Sequence, residues 1–93
     1  MKYPVELNSD ECQLLLDYVV LSTSVEKTLK RMVKKEGIHK TNMSLDEIHE
    51  IAGWLAAEAN HAKSRRVEQS LDELYTYFDT IEYQIKRSLH SKL

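Results

Sequence analysis

Between Val67 and Leu89 the apolar residues fall at intervals of three and four: Val67, Leu71, Leu74, Phe78, Ile81, Ile85 and Leu89. That spacing is a helical seam close to a coiled-coil repeat. A helix of this length must cover its stripe against neighbours. The rest of the chain is equally short of turn residues, with two glycines and one proline in 93 residues. A sheet protein of this size needs more of both. The expected fold is therefore all-α, an antiparallel three-helix bundle in one domain spanning 1–93. Its helices are expected near 9–36, 45–62 and 65–90, the first and third being long.

Local signals set those limits. Asn8 with Glu11 three residues on reads as a capping box, and Asp10 and Glu11 suit the positive end of a helix dipole. Lys34 and Lys35 suit the opposite end, and Gly37 can take the left-handed conformation that stops a helix. Ser44 and Glu47 form a second capping box, with Met43 placed to staple onto Ile48. Leu45, Ile48, Ala52, Leu55, Ala59 and Ala62 then share one face. This face and the Val67–Leu89 seam are out of phase by roughly a quarter turn at about 100° per residue, which places a tight turn near Ser64.

The net charge is −2 at pH 7. Such a balance argues against a dedicated nucleic-acid binder while leaving room for a local patch. Cys12 is the only cysteine, so no disulfide forms within the chain and a reducing, cytoplasmic setting is expected. The start of the chain has no apolar segment of signal-peptide type. No apolar run approaches the roughly 20 residues of a membrane span, so no membrane partner is expected.

The expected first helix has a second apolar stripe behind its main one: Cys12, Leu16, Val19, Val20 and Thr23. A bundle of three leaves one side of each helix wet, so this stripe wants a partner. A second copy of the chain is the natural choice, because symmetric dimers are commonest. The alternatives are a bundle that wraps more of this helix, or an N-terminal Tyr3-Pro4-Val5 arm that covers it. Further along, the same face is basic, with Lys27, Lys30, Arg31 and Lys34 extended by His39 and Lys40. Such a stripe can track phosphates or be an ordinary solvated face.

Glu36, His39, His49 and Glu82 fall toward one end of the expected bundle and form the only candidate metal set. Glu36 and Glu82 lie within apolar stripes, where a carboxylate needs a partner. A stripe edge with the carboxylate reaching water or a lysine is the ordinary explanation and the expected one. Paired Glu-x-x-His motifs of the di-iron type require two helices facing inward. Here both motifs, Asp46–His49 and Glu58–His61, fall on one helix. Trp54, Glu58 and His61 share an edge that suits a polar ligand, a partner contact or a core-edge tryptophan. Small residues, Gly53 and Ala57 among them, give that helix a second possible contact strip. Catalysis has little support. Cys12 stands at a helix start beside two acids, with no histidine near it, and no phosphate-cradling glycine loop or zinc-type ligand set is present. The expectation is a non-enzymatic, cofactor-free module that binds itself or another protein. Nucleic-acid and weak metal binding are the rival readings.

Overall fold

The computed structural model describes residues 1–91. It corrects the all-α expectation. The order is β1 (Lys2–Asn8), α1 (Ser9–Tyr18), α2 (Thr23–Met32), β2 (Ile38–Ser44), α3 (Leu45–Asn60) and α4 (Arg65–Ser91). The fold is mixed: four helices and a two-stranded antiparallel sheet among the described residues. The expected helix 9–36 is two short helices and a loop that leads into a strand.

The break lies at Val19–Ser22. Val19 is extended, with φ −113° and ψ 136°, and Ser22 is extended at the start of α2. The apolar residues keep helical spacing across this break, which is why the sequence reads as continuous. The turn resolves the puzzle of a helix apolar on both sides. It redirects the chain so that Cys12 and Leu15 of α1, then Val25, Leu29 and Met32 of α2, all enter one core. Of the back stripe, Cys12 and Val19 are thus buried by the chain's own fold and Leu16 is half-buried.

β1 pairs with β2 from Lys2↔Ser44 to Asn8↔Ile38. Side chains alternate faces along a strand, so Val5 and Leu7 are fully buried, as is Met43 on β2, while Pro4, Glu6, Lys40 and Asn42 face outward. The outer edge of β1 is closed at Glu6 and at Asn8. The Glu6 amide donates to Tyr77 Oη at 3.1 Å, and that hydroxyl donates to the Glu6 carbonyl at 2.7 Å. Pro4 shares the phase of Glu6 and has no N–H to leave unpaired. The Asn8 amide, next in phase, donates to Glu11 Oε1 at 2.9 Å as half of the capping box of α1. The N-terminal arm is therefore a strand held by β2 and by Tyr77 of α4, with Val5 and Leu7 in the common core.

Ser44 ends β2 and starts α3. Its hydroxyl accepts from the Glu47 amide at 3.1 Å, and Glu47 Oε1 accepts from the Ser44 amide at 2.8 Å. These bonds to Ser44 hold the Glu47 carboxyl below its ordinary value. Lys2 lies 4.0 Å from the same carboxylate, and Ser22 Oγ donates to it at 3.5 Å. The acidic start of α3 thus sits beside Lys2 and Ser22. α3 and α4 form an antiparallel hairpin whose turn ends at Ser64, which caps α4 by accepting from the Val67 amide at 3.2 Å. Gly37, at φ +100°, makes the left-handed step between α2 and β2. The 27 residues of α4 span about 40 Å at 1.5 Å each, close to the 44 Å long axis of the molecule.

Candidate functional site

The five residues expected to form a helix-one dimer surface are scattered by the fold. Cys12 and Val19 are buried in the core, Leu16 is half-buried, and Val20 and Thr23 are exposed. Burial pushes the Cys12 thiol above its ordinary value, with Glu11 adding to the effect, so Cys12 is neither a surface contact nor a ready nucleophile.

Of the candidate metal set, the fold joins two. His49 Nδ1 donates to Glu82 Oε2 at 2.8 Å, and Lys86 Nζ reaches the same oxygen at 2.8 Å. Glu82 is buried at 7% exposure, while the His49 side chain is 69% exposed. The buried carboxylate therefore has the partners it requires. The hydrogen bond from Lys86 is the largest influence holding its pKa below the ordinary value; burial opposes it and His49 reinforces it. Glu82 in turn fixes the His49 ring through Nδ1. Glu36 is exposed in the loop after α2, and the His39 ring bonds the Lys35 carbonyl at 3.0 Å. No group of three or more His, Cys, Asp or Glu able to hold a metal ion occurs among the described residues.

The exposed side of α3 carries Glu50, Gly53, Trp54 and Ala57. The α1–α2 connector lies against its N-terminal half, where Val20 and Leu21 share a shallow depression with Glu50 and Ile51. Toward the other end, Tyr18 shares a 340 Å³ depression with Glu58, His61 and Val67. Trp54 stands one turn from each. Trp54 is 40% exposed and Val20 68% exposed. The edge Trp54, Glu58 and His61 seen in the sequence thus meets Tyr18 at one end, and Val20 lies against α3 one turn before Trp54. A β-carbon on Gly53 would meet no atom within 4 Å, so nothing inside the chain requires glycine there.

The basic residues form a separate surface. Lys27, Lys30 and Arg31 lie on the exposed side of α2, and Lys34 and Lys35 follow in the loop. Arg31, Lys35, His39 and Lys40 line a 290 Å³ groove between α2 and β2 with Thr28 and Met32. The sequence grouped Arg31, His39 and Lys40 in one stripe but left Lys35 out of it and gave no sign of the strand that makes a groove.

Among the described residues, no helix is long and apolar enough to cross a membrane. Comparison with family models, with curated proteins and with solved structures finds no match to this chain.

Proposed function

We propose that this chain is a non-enzymatic interaction module that pairs with a second copy of itself through the exposed side of α3 and the α1–α2 connector. The observation that carries this reading is the exposure of Trp54 and Val20 on that one side. Large apolar side chains grouped on a surface mark contact sites, and tryptophan is enriched among residues that dominate binding energy. Gly53 supports it. A glycine inside a helix costs roughly 0.5–1 kcal/mol relative to alanine. Gly53 gains no packing from its own chain in return, whereas a second helix axis could approach closely there. The lone buried Cys12 suits a reducing, cytoplasmic compartment.

Light scattering after size exclusion at micromolar concentration tests the reading. The wild type is expected at twice the chain mass. Trp54→Glu and Val20→Glu are expected to be folded monomers by circular dichroism, because both side chains are already exposed. Gly53→Ala is expected to raise the stability of the folded chain while weakening the pairing. A monomeric wild type, or glutamate variants that stay paired, would overturn the proposal.

A further inference from the structure

A second surface points to a different partner. α1 and α2 are joined by the four residues Val19–Ser22, a helix–turn–helix connection in length. α2 buries Val25, Leu29 and Met32 and turns Ser24, Lys27, Lys30 and Arg31 outward. Across the groove stands Lys40 of β2. The lining of that groove holds three permanent cations, Arg31, Lys35 and Lys40, and no acid. Lys27, Arg31, Lys34 and Lys35 have no ion-pair partner among the described residues. Lys30 and Lys40 are paired only with the well-exposed Glu26 and Glu6, at 2.8 and 3.7 Å. Glu36 stands exposed beside Lys35, so three acids face six cations on this side, whereas α4 gathers acids, as with Glu68, Asp72 and Glu73. The overall charge of −2 therefore conceals a molecule with a basic side.

We propose that the α2–β2 surface binds the phosphate backbone of double-stranded nucleic acid. Charge complementarity selects an anionic partner, and the rest of the surface narrows it. Met32 is the only apolar side chain in the groove, so a peptide finds no anchoring pocket there. No Phe, Tyr or Trp lines it, so the bases of a single strand find no stacking platform. Phosphates on a duplex need neither; they need grouped exposed cations, which α2, the loop after it and β2 supply. Contacts of this kind carry no base readout, so binding is indifferent to sequence.

The test is fluorescence anisotropy of the full chain with a labelled two-turn DNA duplex of random sequence, across a salt series. If the four cations without partners engage, the slope of log K against log salt is about −3.6, and raising salt from 50 to 200 mM weakens binding roughly a hundredfold. Replacing Lys27, Arg31 and Lys35 together by glutamine should cut the slope to about −1, at about 0.9 per cation. Lys63→Gln, in the α3–α4 turn, should leave it unchanged, and circular dichroism verifies that each variant is folded. No binding at the lowest salt overturns the proposal, as does a slope unmoved by the triple substitution. Tighter binding of a single strand, or of polyglutamate of matched charge, overturns it too. None of these outcomes depends on whether the α3 surface pairs two chains.

Discussion

The hydroxyl of Tyr77 is a single group that ties the first strand to the last helix, and Tyr77→Phe removes it while leaving the ring. Two hydrogen bonds are lost, at 3.1 and 2.7 Å to the amide and carbonyl of Glu6. Each such bond contributes a net 0.5–1.5 kcal/mol or so in proteins. Glu6 is exposed, so water replaces much of what is lost, and the expected cost is about 1 kcal/mol for both together. For a domain of this size that lowers Tm by roughly 4–8 °C. The change should also be local. Urea unfolding gives the global figure, while hydrogen exchange by NMR reads the Glu6 amide directly. That amide should lose protection, and the Glu11 amide, held by Asn8 Oδ1 at 2.8 Å, should keep its own. A stability change smaller than about 0.5 kcal/mol, the scatter of ordinary surface substitutions, with Glu6 exchange unaltered, would refute the reasoning. β1 would then be held by its pairing with β2 and by its buried side chains alone.

Glu82 predicts an acid limb to the stability curve. Its folded pKa is depressed, first by Lys86, so its contribution is complete above the ordinary carboxylate range and is lost as pH falls through the depressed value. Thermal melts of Glu82→Gln against the wild type from neutral to acid pH should converge at the acid end. Phe78→Ala empties the centre of α4's buried face and should cost about 3–5 kcal/mol by urea titration, a large share of the 5–15 kcal/mol or so that domains possess. Gly37→Ala forces a β-carbon onto φ +100° and should cost about 1 kcal/mol, although open space surrounds the position.

What could be read in advance was what neighbours in sequence decide. Asn8 with Glu11, Ser44 with Glu47, the turn ending at Ser64 and the left-handed Gly37 are all determined within a few residues. The strands are not. Lys2–Asn8 alternates as a strand should, yet seven residues at a chain start read equally as a loose arm. Ile38–Ser44 has little β-branched content, and what makes it a strand is β1, some thirty-six residues away in the register Val5↔Thr41. The break at Val19 had one signal, the conflict of two apolar stripes on one helix. That conflict can be relieved by an outside partner or by bending the chain, and bending brings in no second molecule. The candidate sites divide in the same way. The pairing of Glu82 was foreseeable from its place in an apolar seam. The choice of His49 beside Lys86 came from the α3–α4 packing, and the groove beside Arg31 and Lys40 from a strand not anticipated.

The bond from Tyr77 to Glu6 spans 71 positions, and chains are made from the N-terminus. At roughly 5–20 residues per second, Tyr77 joins the growing polypeptide about 4–14 s after Glu6. Throughout that interval β1 carries the apolar Val5 and Leu7 without the completed core and has no α4 to seal its edge. What guards the strand meanwhile is whatever needs no distant residue. Pro4 offers no donor to a stray strand from the moment it is added, and the Asn8–Glu11 lock closes three residues later than Asn8 itself. The early edge of this protein is protected by its own first dozen residues, and the late-arriving tyrosine completes a seal that is already half made.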